Sequence, residues 1–240
     1  MPQSIFVLVH GLWHGGWCWS RVADILRTRG HQVHTPTNTG VGDRSHLINA
    51  EITLETFARD IEQHILFEDL HDLVLVGHSF GGATICGTGD KVAERISKVI
   101  YLDAAILQPG ESWFDLLDSE IAQARQDLAN QFSNGLSLPP VDPEILGVTK
   151  AADIAFLKPR LTPHPLATLK TSLAMQKPAG KGLNPHYIHL SDPPYMPANG
   201  SLDRARQYGW PISEIAACHE AIVTAPLAVA DELERIANEK

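Results

Sequence analysis

The chain has 240 residues, 44% hydrophobic and 20% charged, near the roughly 45–50% and 25% of soluble globular domains, which excludes disordered and fibrous architectures. Lys and Arg number 19 against 28 Asp and Glu, a formal net charge of −9 without a basic cluster. A phosphate backbone would be repelled, so nucleic acid is excluded as a partner.

In chain order, Met1-Pro2-Gln3-Ser4 carries no positive charge, and the apolar run Ile5 to Val9 is too short for a signal-peptide core or a membrane span. That run instead reads as a strand buried on both faces, closing in His10-Gly11. Trp19 to Arg29 spaces Val22, Ile25 and Leu26 as a helix does, with Gly30 at its end. His31 to Thr35 predicts a short second strand, and Thr37 to Ser45 a loop. Thr53 to Leu70 sets Leu54, Phe57, Ile61 and Ile65 on one helical face. Leu73 to Gly77 is a third strand, His78-Ser79-Phe80 a tight bend, and Gly81-Gly82 opens a helix of small residues running to about Glu94. Val99 to Leu102, Tyr187 to Leu190 and Ile212 to Ala216 complete six strands, and a last helix runs from about Pro226 to Asn238.

Strands alternating with helices predict an α/β fold with a mostly parallel sheet and helices on both faces. Between about Leu107 and Pro185 no strand pattern appears, but prolines and large apolar residues do, and the stretch is too long for a loop. It reads as a small, partly helical cap inserted at the C-terminal edge of the sheet. A single domain is expected, with a core of 1–106 and 186–240 and a cap of about 107–185.

Gly77-His78-Ser79-Phe80-Gly81 is a Gly-x-Ser-x-Gly motif between a strand and a helix, the context in which a strained turn exposes a serine hydroxyl above the sheet. Ser79 is the candidate nucleophile, while its neighbour His78 is read as structural. A hydroxyl nucleophile needs a base. His219, late in the chain between the last strand and the last helix, fits the order Ser, acid, His. Two aspartates reach the same sheet edge: Asp103 after the fourth strand and Asp192 after the fifth. Spacing does not choose between them. The oxyanion would need two backbone N–H donors, assigned to Phe80 and to Leu12 in the loop after the first strand. His10 and His14 lack a third ligand at metal spacing, so no metal site is expected. Gly11, Trp13 and His14 from that loop, Phe80, and Trp113 and Phe114 from the insert are the candidates to line a substrate pocket.

These motifs together resemble the α/β-hydrolase superfamily, and within it the plant methylesterase and hydroxynitrile lyase family with its bacterial esterase relatives. The resemblance rests on His10 to Trp17, Gly77 to Gly82, Tyr101-Leu102-Asp103-Ala104, Leu161 to Leu166 and His219, and spans nearly the whole chain. It implies a cofactor-free ester hydrolase in which Ser79 attacks, His219 is the base, and Leu12 and Phe80 form the oxyanion hole. The lyases of that family carry Thr where this chain has Gly11 and Lys where it has Glu220, so the resemblance is to the esterase branch. Plant members place their acid a few residues after the strand matched by Tyr187 to Leu190, one position later than Asp192. Bacterial relatives often carry Tyr-Leu-Asp-Ala instead, which favours Asp103, with Asp192 as the alternative.

The expectation is thus a serine carboxylesterase acting on small to medium carboxylic esters through an acyl-enzyme. The alternatives are a lyase of the hydroxynitrile type and a non-catalytic small-ligand receptor, since one fold hosts many functions. Cys18, Cys86 and Cys218, an odd number without Cys-x-x-Cys spacing, point to a reducing, cytoplasmic compartment. A small-molecule ester is the expected partner, with no membrane and no nucleic acid, and a homodimer is compatible with everything above.

Overall fold

A computed structural model describes residues 3–239. Met1 and Pro2, the start of the segment read for a leader, lie outside the described residues. In chain order the elements are β1 (Ile5–Val9), α1 (Ser20–Thr28), β2 (Gln32–His34), α2 (Leu54–Phe67), β3 (Leu73–His78), α3 (Gly81–Lys91) and β4 (Ile96–Leu102). Then come α4 (Ser119–Ser133), β5 (Ser137–Leu138), α5 (Ala151–Leu157), β6 (His164–Pro165) and α6 (Ala167–Lys170). β7 (Pro185–Leu190), α7 (Asn199–Gln207), β8 (Ile212–Ile215), α8 (Ala221–Thr224) and α9 (Pro226–Ala237) complete the chain.

Six strands form one sheet in the order β2-β1-β3-β4-β7-β8, and every pairing in it is parallel. Side chains alternate across a strand, so each strand feeds two cores. Val7, Val9, Leu75 and Val99 face α2 and α3, where they bury Phe57, Ile61 and Ala83. Phe6, Leu8, Val74, Val76 and Ile100 face the opposite layer, built on Val22 and Leu26 of α1 and Val229 and Leu233 of α9. Full burial of such a side chain stabilises the fold by about 1.5–3 kcal/mol, which fixes the strand register. That register sets Val9 beside Gly77, Gly77 beside Tyr101, and Tyr101 beside Tyr187, so the loops leaving these strands open on one edge. The chain moves from β1 to β2 on one side and to β3 on the other, and the crevice at such a switch point is where open α/β sheets bind ligands.

The structure differs from the sequence expectation in the insert and in the links on either side of β8, where the one-turn helix α8 has no predicted counterpart. The insert between β4 and β7 contains a two-stranded antiparallel pair, with Ser137 opposite Pro165 and Leu138 opposite His164. Each strand is two residues long, too short to leave any periodicity. The link from β7 to β8 carries the helix α7, which had no predicted counterpart. Among the described residues, no helix is long and apolar enough to cross a membrane.

Candidate active site

Ser79 lies between the last residue of β3 and the start of α3, with a backbone φ of +56°, in the left-handed region that costs a side-chain-bearing residue about 1–3 kcal/mol. The bend is locked from all sides. Ser79 N–H donates to the Leu102 carbonyl at 3.2 Å, and its own carbonyl accepts from Ala105 and Gly82 at 2.9 and 3.1 Å. A Cβ on Gly77 would meet the Gly81 carbonyl oxygen at 2.7 Å, so the turn closes this tightly only because that atom is absent. Gly11 answers from β1's loop: a Cβ there would lie 2.9 Å from the Ser79 Cβ and 3.3 Å from its Oγ.

The Ser79 hydroxyl donates to His219 Nε2 at 2.9 Å, and His219 Nδ1–H donates to Asp103 Oδ2 at 2.7 Å. Asp103 also has positive φ, +45°, immediately after β4. It is 1% exposed, and its Oδ1 accepts the Leu190 N–H at 3.5 Å and lies 3.5 Å from His189 Nδ1. His219 is 3% exposed. Its carbonyl accepts from His78 Nε2 at 2.8 Å, and the Tyr195 ring stacks on its imidazole at 4.0 Å. His78 therefore braces the His219 backbone and does not meet the Ser79 hydroxyl. Burial drives its imidazole down to about 4, which keeps it neutral. Asp192 is exposed; its N–H donates to Ala217 at 3.1 Å, a turn contact outside the Ser79–His219–Asp103 chain.

Phe80 directly precedes α3, whose N-terminus faces this edge and favours negative charge there. Leu12 sits in the loop after β1, followed by Trp13 at φ +65°. That strained loop is held by the insert: Trp13 N–H donates to His164 Nδ1 at 3.3 Å, and the Trp13 carbonyl accepts from Thr162 N–H at 2.9 Å. His164 in turn donates from Nε2 to Thr168 Oγ1 at 2.9 Å. These partners were missed as site residues, although they lie in or beside the Leu161 to Leu166 segment that carried part of the resemblance.

Two small cavities of about 20 Å³ each open on Ser79. One brings together Gly11, Leu12, Trp13, His14 and Glu220; the other lies between Asp103, Leu116, Leu117 and Pro197. Trp113, Tyr195 and His219 wall both. Phe114 is not part of either. It packs beside Trp113 at 6.3 Å between ring centres and faces a separate outer hollow with Asp115 and Lys170. The reason is local: Trp113 and Phe114 are adjacent at a short helical turn, so they point in different directions. His10 donates from Nδ1 to the Gly11 carbonyl at 2.9 Å and accepts the Asn38 N–H at 3.1 Å. His14 faces Glu220 at 3.5 Å. Among the described residues, no group of three or more His, Cys, Asp or Glu side chains could hold a metal ion.

Residues 6–232 match the model of the alpha/beta hydrolase family. A carbendazim-hydrolysing esterase from a Nocardioides species is 35% identical over 95% of this chain and 97% of its own length. A putative chloroplastic methylesterase of Arabidopsis thaliana is 31% identical over 78% of this chain, which spans 58% of that longer protein. The solved structure of an extracellular alpha/beta-hydrolase from a Paenibacillus species, described as sharing structural and functional homology with tobacco salicylic acid binding protein 2, covers 100% of both chains with a TM-score of 0.86 and 26% identity. With that sheet, that elbow and these relatives, the chain belongs to the alpha/beta hydrolase family and is an ester hydrolase.

Proposed function

We propose that the protein is a serine carboxylesterase for small to medium carboxylic esters, with Ser79 as nucleophile, His219 as general base, Asp103 as orienting acid, and the backbone N–H groups of Leu12 and Phe80 as oxyanion hole. The observation that carries this reading is the unbroken hydrogen-bonded line from Ser79 Oγ through His219 to the buried Asp103, the arrangement by which a weak hydroxyl becomes a nucleophile. Ser79 Oγ attacks the ester carbonyl carbon while its proton passes to His219 Nε2. Asp103 stabilises the imidazolium and fixes the ring orientation. The carbonyl oxygen becomes an oxyanion beside the N–H groups at the start of α3. Collapse expels the alcohol, which takes the proton from His219 and leaves an acyl-Ser79 ester. Water then attacks that ester as His219 takes its proton, and breakdown releases the acid and restores Ser79. The insert acts as a cap, since Trp113, Leu116, Leu117 and Leu146 come from it to wall the cavities.

Cavities of this size suit a small group on at least one side of the reacting carbonyl, as the methoxy group of a methyl ester is, and a methylesterase is among the relatives. A cytoplasmic setting is supported by three buried, unbridged cysteines. The lyase reading has no support from this geometry. A larger residue at Gly11 would crowd Ser79, and a carboxylate paired to His14 stands where the lyases carry Lys.

Initial rates of p-nitrophenyl acetate hydrolysis by the wild type and Ser79→Ala, at neutral pH with a chelator, test the reading. A fall of about 10⁴-fold or more in the variant is expected. Equal rates in both would refute the mechanism, and binding without turnover would favour a receptor.

A further inference from the structure

Directly after His219 the chain places a carboxylate in the wall of the catalytic cavity. Glu220 is 1% exposed and His14 2%; both line the cavity that holds Ser79, Gly11 and Leu12. His14 Nε2 and Glu220 Oε2 approach at 3.5 Å, and neither atom has a hydrogen-bond partner. The other ring nitrogen, His14 Nδ1, donates to the Leu12 carbonyl at 2.6 Å, and Trp17 stacks on the ring at 5.3 Å. The pair therefore joins the segment after the base to the loop that supplies the oxyanion donor.

An unpaired carboxylate here would act against the reaction. In a water-poor cavity, a fixed negative charge destabilises a second one developing nearby far more than it would in bulk solvent. We propose that His14 and Glu220 are positioning residues that form a charge-compensated pair: the His14 imidazolium cancels Glu220, so that Glu220 adds no net negative charge where the tetrahedral oxyanion forms, while the second N–H of His14 fixes the Leu12 loop. This proposal rests on the serine esterase reading.

His14 is the largest charge partner of Glu220, ahead of His78 and His219, and Glu220 is the charge partner of His14. Burial holds His10 and His78 at about 4 and His164 well below the ordinary imidazole range, so all three are neutral. Burial likewise keeps the Cys18 thiol, which faces Glu220, and the Tyr195 phenol protonated. His219 is turned to Asp103 through Nδ1 at 2.7 Å and to Ser79 through Nε2 at 2.9 Å. Burial opposes charge on both members of the pair, yet His14 is raised by Glu220 and Glu220 is brought down to about 2 by His14. As pH rises through the His14 value, His14 loses its proton, Glu220 is left uncompensated, and kcat should fall.

The test compares kcat and KM for p-nitrophenyl acetate in the wild type, His14→Gln, Glu220→Gln and the double variant between about pH 6 and about pH 9. His14→Gln should lower kcat about 30-fold or more with little change in KM, because it leaves the carboxylate alone. Adding Glu220→Gln should restore at least about 5-fold of that loss and remove the alkaline limb of the wild-type kcat profile. A double variant no faster than His14→Gln would overturn the proposal, with thermal unfolding of each variant separating folding from catalysis. Histidine side-chain NMR gives a readout independent of turnover. His14 should be protonated in the wild type at neutral pH and neutral in Glu220→Gln; a neutral His14 in the wild type also overturns the proposal. The esterase reading itself fails only on the Ser79→Ala comparison, so the two can be told apart.

Discussion

Three residues of the site sit at positive φ, Trp13 at +65°, Ser79 at +56° and Asp103 at +45°; Ser79 and Asp103 directly follow the ends of β3 and β4, and Trp13 lies in the loop after β1, places where the chain must turn sharply to aim a group over the sheet edge. Such strain persists only when the surroundings over-determine it, and here backbone hydrogen bonds from β4, the insert and the Ser79 elbow do so. If Asp103 orients His219, then Asp103→Asn, which keeps the shape but not the charge, should lower kcat about 10⁴-fold. Asp192→Asn, on an exposed turn, should leave kcat unchanged; the opposite pattern in the same assay would reassign the acid. The sequence alone could not separate these two, because both follow strands of one edge. What distinguishes them is burial and the approach of His219, which depend on how the loop before α8 folds back. Ser79 and His219 were legible because their positions follow from motif and chain order. In the sequence Glu220 stands out only as a difference from the lyases, since its pairing with His14 joins residues 206 positions apart. Gly11 offers a second test at this scale. Gly11→Ala should lower kcat well below wild type without unfolding the protein, since the added Cβ would press on the Ser79 side chain at 2.9 Å; an unchanged kcat would show that the loop yields.

At the scale of elements, the central strands β1, β3 and β4 are readable as apolar runs because a parallel sheet buried on both faces needs such runs, the edge strands β2 and β8 only as short, half-exposed segments, and β5, β6, α7 and α8 not at all. β5 and β6 are held by a few hydrogen bonds and tertiary context; α7 is polar, with Arg204 and Arg206 in its last turn, so its apolar stripe is thin. The outer layer shows a similar dependence on context, where α9 is fastened to the end of α1. Glu234 accepts from His31 Nε2 at 3.0 Å and from Arg29 at 2.8 Å, and Arg29 also reaches Asp231 at 2.6 Å. The His31 hydrogen bond, against the opposing effect of burial and with help from Arg29, holds the Glu234 carboxyl below its ordinary value. A carboxylate with a lowered folded-state value stabilises the fold above its unfolded value and loses that contribution as pH falls through the folded one. Glu234→Gln should therefore cost about 1–2 kcal/mol at neutral pH, toward the low end for charged hydrogen bonds because Arg29 is partly solvated. That corresponds to a Tm lower by about 3–6 °C. The gap between variant and wild type should narrow as pH falls into the acid range, and a gap that stays constant with pH would remove the charge from the explanation.

Across the whole molecule, the insert and the core enclose very unequal spaces. The cavities at Ser79 are about 20 Å³ each, whereas an apolar groove of about 400 Å³ runs along α4 between Ile121, Leu128, Leu138 and Val141. Trp13 lines both the groove and one of the Ser79 cavities. Trp113 walls both cavities at Ser79 and carries the Arg125 guanidinium over its ring at 5.2 Å, which ties it to the groove side. The two indoles thus divide the space that a substrate could use, and the wild type should favour acetyl over longer acyl groups. Each methylene that finds apolar cover is worth about 0.8 kcal/mol, roughly a factor of 4. Trp113→Ala removes one of the walls shared by the two cavities at Ser79, so the ratio of kcat/KM for p-nitrophenyl butyrate to that for the acetate should rise by about 15-fold, the value of two methylenes. Because Ser79, His219 and Asp103 are untouched, kcat for the acetate should change much less than that ratio. A ratio that stays fixed while both rates fall together would mean that Trp113 serves packing rather than size selection, and that acyl groups enter from the side of His14 and Glu220.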